Sequence, residues 1–442
     1  KKINLKNFGT GRNIRFGHLK GGKEWFVVLA QSQMRVHRDA YAHISCLTAI
    51  DLNGNILWQL GEGNPKHAYI TCDLPFQVYD IDEDGKDEVI CVIDFTLRIL
   101  DGATGKTKKS MILPHYTPEN DEDNIKKPIG RYAFDRLNSD GIRICNFTGN
   151  KHPSDILLKD RYRKIFAYDK DFNLLWTHQA KINTGHYGYS LDINNDGKEE
   201  LFIGYDLLDS KGNLLWSLPV LTDHTDEIII GPIDPTKVAQ ALEKNKPKEK
   251  GYIIGTVSGS EGFILSDIEG NIITKDFIGH AQRISTGNFC PELPGNEICV
   301  VTFWGNQGII RLYDCKGNLL WSKESKANGN VITPVSWGTN NEDLILLNAN
   351  VKYGGLMNGQ GNIVVEFPND NHPDTCCEIL DLNENGFDNI IVWDESSMWI
   401  YEQDLESLNK TTSKECQKMP YWNASNYRGE YSYRKSLFEG KN

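Results

Sequence analysis

The chain has 442 residues, 39% hydrophobic and 24% charged, with a formal net charge of −12. This is globular composition, long enough for one large β-domain or two to three smaller ones. No apolar run approaches the ~18 residues of a membrane helix, and no block of Lys and Arg offers a nucleic-acid footprint. The ten cysteines show no C-x-x-C spacing, so neither a disulfide framework nor a zinc site is readable. Cys46, Cys91 and Cys299 sit in apolar runs where a thiol packs as a small hydrophobe, and the vicinal Cys376–Cys377 pair reads as the start of a strand. The start, KKINLKNFG, has no apolar signal-peptide core. A mature secreted or periplasmic chain whose leader has been removed would look the same, and that localisation is the expectation.

In chain order, one grammar recurs: an apolar run, Asp, two or three turn residues, Gly-Asn, then a second apolar run that often reaches Trp. It appears as LTAIDLNGNILWQL (47–60), IFAYDKDFNLLWTH (165–178), YDLLDSKGNLLWSL (205–218), FILSDIEGNIITKD (263–276), IRLYDCKGNLLWSK (310–323) and GGLMNGQGNIVVEF (354–367), with TLRILDGATGKTKK (96–109) a looser copy. Gly and Asn tolerate positive φ and the Asp side chain closes the turn on its own backbone, so each copy predicts a tight hairpin. A second motif precedes several of these: VYDIDEDGKDEVICV (78–92), SLDINNDGKEELFIG (190–204) and ILDLNENGFDNIIVW (379–393), each strand, acidic turn, strand. Only TKVAQALEKNK (236–246) predicts a helix.

Repeated four-stranded units without long helices predict an all-β chain, a β-propeller of four-stranded antiparallel blades forming a single domain over residues 1–442. The tryptophans are then assigned to packing between blades. Seven clear units and a terminal one, SSMWIYEQD (396–404), give seven or eight blades. The N-terminal strands are available to complete the last sheet and remove an exposed edge. Residues 405–442, which include YWNASNYRGEYSY (421–433), are expected to form a strap packed on the propeller.

Asp80, Asp82, Asp84 and Glu88 place alternate carboxylates before a glycine, as a Ca²⁺ loop does. Asp192, Asn194, Asp196 and Glu200 repeat this with one carboxylate fewer, and Asp381, Asn383, Asn385 and Asp388 more weakly. Either the first loop holds a Ca²⁺ ion or the acids cap backbone amides; no organic cofactor is called for.

The polar residues outside this grammar gather just upstream of predicted innermost strands: His67, His186 with Tyr187, His224, then His280 with Arg283. Innermost strands line a propeller's channel, so these positions converge on one funnel. Arg161 and Arg163 interrupt a strand pair in ILLKDRYRKIFAYD. G-x-S-x-G, P-loop and H-E-x-x-H motifs are absent. His, Arg and Tyr in a funnel suit β-elimination of a uronate: Arg clamps the carboxylate, His or Tyr takes the C5 proton, and an acid protonates the leaving O4.

The strings NTGHYGYSLDINNDGKEELFIGYDLLDSKGNLLW, DHTDEIIIG, GHAQRISTGNFCPELPGNEI and WGNQGIIRLYD resemble the propeller enzymes that act on rhamnose–glucuronate linkages: L-rhamnose-α-1,4-D-glucuronate lyases, ulvan lyases and a related α-L-rhamnosidase branch. The resemblance runs from GRNIRFG to NYRGEY. It implies seven blades, adopted here with eight as the alternative, and a polysaccharide lyase acting on rhamnose-capped arabinogalactan or a related acidic, rhamnose-containing glycan. It matches the catalytic His to His67 and the uronate-clamping Arg to Arg161. His186 and Tyr187 complete the expected catalytic group, and Gln77, Arg163, His224, His280, Arg283 and Asn306 the expected substrate contacts. The rhamnosidase branch uses a His in an N-terminal strand, where the corresponding stretch here reads VVLAQSQMRV, with Gln31 and Gln33 and no His from there until His37, followed by His43. Hydrolysis on the opposite face and a non-catalytic glycan-binding propeller are the alternatives. A quinone-dependent dehydrogenase is disfavoured by the His-rich funnel. A monomer is expected, with no nucleic-acid or membrane partner.

Overall fold

The structure, a computed structural model, describes residues 1–32, 43–67, 73–115, 136–160, 164–220, 224–305, 308–326, 329–338, 342–374, 376–404, 416–418 and 421–434. They form a propeller of eight blades, each a four-stranded antiparallel sheet whose strands follow in chain order from the channel outward. Eight is the count the repeats give; the seven implied by resemblance is corrected. In the eighth blade only three strands, from Cys376–Leu380 to Ser397–Tyr401, come from the C-terminal side, and Lys2–Asn4 pairs with the last of them to supply the outermost strand. The ring is thus closed by joining the chain's two ends, which pairs both edges of that sheet's outer strand partner. The predicted helix forms over Pro235–Glu243, an insertion between the first two strands of the fifth blade, with Asp234 capping Thr236 N at 2.9 Å.

The recurring sequence grammar has a local physical cause at each copy. In the outer hairpins Asp51, Asp169, Asp209, Asp267 and Asp314 each accept a hydrogen bond from the backbone N–H of the Asn four residues on, and from that Asn's side-chain amide. In the acidic turns Asp80, Asp192 and Asp381 accept from the N–H groups four and five residues on. The residue that reopens the strand accepts from the N–H seven residues back: Glu88 from Ile81, Glu200 from Ile193, Glu297 from Cys290, Asn389 from Leu382.

The tryptophans join successive blades. Trp58 Nε1 donates to Gly102 O (2.7 Å), Trp176 to Ser210 O (3.0 Å), Trp216 to Ile268 O (3.2 Å) and Trp321 to Gly359 O (2.7 Å). Every acceptor belongs to the outer turn of the following blade. A Cβ built on Gly105, Gly212 or Gly270 would lie 2.6–2.8 Å from the indole of the preceding blade, and all three have φ between +69° and +87°. Glycine therefore satisfies both the turn and the indole face pressed on it. The apolar core accordingly sits between blades: Trp58 packs with the first and second, Trp176 with the third and fourth.

Replacing Gly105 by Ala, which is opposed both by its positive φ and by the indole 2.7 Å away, is expected to cost more than Trp58→Phe, which removes the Nε1 hydrogen bond, about 1 kcal/mol, and part of the buried ring; urea midpoints of the two variants check the order. Glu297 supplies a pH test. Its buried carboxyl is pushed up to about 7, chiefly by desolvation. The folded state therefore binds that proton more tightly than the unfolded chain, and its contribution is fully present below pH ~4.5 and lost as pH rises through ~7. Glu297→Gln should gain melting temperature relative to the wild type between pH 5 and pH 8; a difference independent of pH would refute this.

Candidate functional site

Each innermost strand begins on the face where the loop from the preceding blade arrives, and those of the second, fourth and eighth blades end in the acidic turns on the other. Three such loops meet at the start of the fifth blade's innermost strand, Thr225–Gly231. Gly185 makes this approach possible: it has φ +64° and an added Cβ would lie 2.0 Å from Thr225 Oγ1. The next residue, His186, donates its N–H to Thr225 O at 2.9 Å. Its ring is thereby set beside Asp226. His186 Nε2 lies 3.7 Å from Asp226 Oδ1, His224 Nε2 3.9 Å from the same oxygen, and His280 Nε2 3.4 Å from Oδ2. The Gln282 amide also donates to Asp226 Oδ1. The loop carrying His280 is tied back by Phe303 N, which donates to His280 O at 3.0 Å.

One residue further along, Glu227 is buried with Arg283 Nη1 3.6 Å from Oε1, and its Oε2 accepts from Ile284 N at 2.9 Å. Burial pushes its carboxyl up to about 8 against the pull of Arg283. The same desolvation disfavours the ionised form of Glu227 where it sits beside Arg283. Asp226 is 1% exposed, His186 3%, and His224 and His280 20% and 22%. The last two imidazoles are the ones that can meet a ligand. His186, His224 and Asp226 each offer a ligand atom, all within 4.8 Å of one another. Two imidazoles and a carboxylate are a donor set suited to a divalent cation.

The floor of this site comes from the far end of the chain. Residues 422–434 enter the channel from the acidic-turn face. Asn423 exchanges hydrogen bonds with Ile144 N (2.8 Å) and O (2.9 Å), and Ala424 O accepts from Gln77 Nε2 at 2.8 Å. Ser425 Oγ and Asn426 N donate to Asp73, which also faces Arg15 at 3.4 Å. Asn426 O accepts from Arg283 Nη2 at 3.1 Å. Tyr427 stacks on His186, centroids 3.8 Å apart and planes 6° from parallel. The chain then turns back, and Glu430–Arg434 runs parallel to the sixth blade's innermost strand, pairing Ser285 with Glu430 and Thr286 with Tyr431.

The structure thus brings together His186, His224, His280 and Arg283. It adds Asp226, Glu227 and Tyr427, which the sequence reading missed; two acids opening the otherwise apolar strand TDEIIIG were the available sign for the first two. His67 ends a 3₁₀ turn, Pro65–His67, upstream of the second blade, with Nε2 3.4 Å from Asn64 Nδ2 and no contact to this cluster among the described residues. Tyr187 and Gln77 pack inward. Tyr187 OH donates to Ile142 O at 3.0 Å and burial pushes it up to about 12, while Gln77 Nε2 meets Ile142 O, Ala424 O and Tyr187 OH. Arg161, Arg163 and Asn306 lie outside the described residues, as does most of 405–442. On the opposite face Asp80, Asp82 and Glu88 lie together, with Lys108 Nζ 2.5 Å from Asp82 and 2.8 Å from Glu88. The ammonium balances that pair, and Asp84 is not part of the group.

No protein-family model matches the chain. It is 24% identical over 327 residues to the rhamnogalacturonan endolyase YesW of Bacillus subtilis (strain 168), covering 63% of this chain and 48% of that one. It is 24% identical over 373 residues to the rhamnogalacturonan exolyase YesX of the same organism, covering 72% and 57%. The chain therefore spans about half the length of the curated relatives it matches. Among solved structures, exotype rhamnogalacturonan lyase YesX superposes with a TM-score of 0.65 at 16% identity, over 98% of this chain and 78% of that one. A Bacillus licheniformis rhamnogalacturonan lyase gives 0.65 at 15%, over 99% and 76%. The V. cholerae biofilm matrix protein Bap1 gives 0.57 at 11%, over 98% and 90%, so the shared architecture is a propeller whatever the site carries.

Proposed function

We propose that the chain is the propeller of a polysaccharide lyase that cleaves a rhamnose–uronate glycan by β-elimination, acting outside the cytoplasm as a monomer. The observation that carries this reading is the convergence of His186, His224, His280 and Arg283 on one face, around Asp226 and above a sealed floor. The relatives support it and favour rhamnogalacturonan, where the uronate is galacturonate, as the substrate to try first; a rhamnose–glucuronate glycan of the arabinogalactan type is the second.

In this reading Arg283 binds the uronate carboxylate, lowering the electron density that opposes loss of the C5 proton. His280, half-exposed and oriented by Asp226, removes that proton. The electron pair forms the C4–C5 double bond as the C4–O4 bond breaks, and O4 takes a proton from the open side of the site. His186, His224 and Asp226 are the residues that would hold a divalent cation; such an ion would supply further charge at the carboxylate. The Ca²⁺ expected at Asp80, Asp82, Asp84 and Glu88 would lie on the other face and serve the fold. His67, in the loop before the second blade, is the competing base, and Arg161 the competing clamp. Tyr187 and Gln77 are not carried into the mechanism, because backbone partners use their polar atoms.

With rhamnogalacturonan as substrate, wild-type protein should generate the ultraviolet absorbance of a 4,5-unsaturated uronate. His280→Ala should lower the rate by about 10²–10⁴-fold, the usual worth of a general base, and His67→Ala much less. The reverse order would transfer the role to His67. Release of free rhamnose without unsaturation would replace elimination by hydrolysis. Arg283→Lys should raise KM, since a point ammonium cannot make the guanidinium's bidentate contact.

A further inference from the structure

We propose that Tyr427 is a positioning residue for His186, and that the hairpin tip Ser425–Arg428 assembles the histidine site from within the channel. For catalysis this rests on the lyase reading above; for structure it stands alone.

Three observations carry it. The first is the stack itself. A centroid distance of 3.8 Å with planes 6° apart packs the Tyr427 ring face to face on His186, while His224 meets the same imidazole edge-on at 5.0 Å. The second is what the neighbours of Tyr427 do. Asn426 gives its carbonyl to Arg283 and its N–H to Asp73, and Ser425 donates to the same carboxylate. The tip therefore touches the loop before the second blade, the loop before the fourth and the sixth blade's innermost strand. No other described segment bridges those three. The third is that the tip is itself held. Asn423 is locked to Ile144 below it, Ala424 O to Gln77, and Asn296 Nδ2 donates to Ser432 O at 2.9 Å on the returning limb.

A propeller ring leaves the gap between opposite innermost strands to whatever fills it. Here the filler is the chain's own C-terminal hairpin, so the positions of His186 and Arg283 depend on a segment hundreds of residues away. Displacing its aromatic ring should loosen His186 without unmaking any blade. A misplacement of ~1 Å near a reacting centre costs as much as ~10²-fold in rate.

The experiment compares wild type with Tyr427→Ala and Tyr427→Phe, all histidine-labelled for NMR. His186 resonances are identified by their absence in His186→Gln, and thermal melting confirms that the blades are intact. In the wild type and Tyr427→Phe, His186 ring protons should show an upfield ring-current displacement and cross-relaxation to His224. In Tyr427→Ala both should be lost with melting little changed, and kcat of elimination should fall about 10–100-fold with KM within about twofold. Retention of the His186–His224 cross-relaxation in Tyr427→Ala would overturn the proposal, as would equal loss in Tyr427→Phe. Should the wild type eliminate no glycan tested, the lyase reading fails while the resonance arm still decides the positioning role. If Tyr427→Ala does not fold, Ser425→Ala and Asn426→Pro, which unfasten the tip from Asp73, replace it under the same two criteria.

Discussion

Everything in this molecule depends on the indole-to-turn contact between successive blades. A four-stranded antiparallel sheet exposes two faces and cannot bury either alone. The Trp of one blade lays its ring on the outer-turn Gly of the next and donates Nε1 to a carbonyl of that turn. The acceptor turns are themselves closed by side chains, Asp101 on Thr104, Asp209 on Asn213, Asp267 on Asn271 and Asn358 on Asn362, so the indole meets an ordered surface. At these four junctions the same contact couples the rotation of one sheet to the next, and the cores between the first and second and the third and fourth blades include the indole. Where a blade has no such Trp on the strand, as at Thr274 of the fifth, the Gly317 turn meets the threonine side chain instead.

Ring closure then creates a second constraint, a channel walled by eight innermost strands. Their inward side chains are polar: Arg15, Gln77, Arg143, Glu227, Arg283 and Glu378. A buried polar wall is costly unless its groups find partners. The C-terminal hairpin supplies several of them in sequence. Burial still raises the Glu378 carboxyl, with the Arg428 guanidinium opposing that shift. The hairpin thus answers a need created by the ring, and because its tip reaches the loop-bearing face it also becomes the floor of the histidine site.

The fold was legible because its determinants are local. D-x-x-G-N and its looser variants fix a turn within five residues, so counting copies narrowed the ring to seven or eight blades without reference to any partner. The helix over Pro235–Glu243 showed itself through periodicity and an Asp-Pro start. Part of the site was legible for a similar reason: His186, His224 and His280 lie just before the innermost strands of three successive blades, where such positions converge, and Arg283 follows three residues after the last of them. Direction along the channel was not legible. Tyr187 follows His186 directly, yet its hydroxyl turns to Ile142 O, in a segment before the strand Tyr189–Leu191 where no alternation can be read. Gln77 likewise faces the channel but meets the hairpin, whose position no local pattern encodes. Tyr427 could not be read for the same reason, since its partner lies more than 200 residues earlier.

The two faces also differ in charge, and that difference bears on how an anionic polymer would approach. The acidic turns carry Asp80, Asp82, Glu83 and Asp84, then Asp192 and Asp196, then Asp381 and Glu384 on one side of the ring. Asp80, Asp192 and Asp381 accept hydrogen bonds from backbone N–H groups of their own turns, which holds those carboxylates in place. Across the ring, Arg283 lies beside Glu227, whose carboxyl burial pushes up, and three imidazoles surround Asp226. A chain of net charge −12 therefore need not repel a polyuronate uniformly. In the lyase reading proposed above, the field of the acidic face would oppose docking of a polyuronate there and would favour the face that carries Arg283 and the histidines. Segregation of charge by strand end, an outcome of the repeat itself, thus gives the ring a direction before any specific contact with substrate is made.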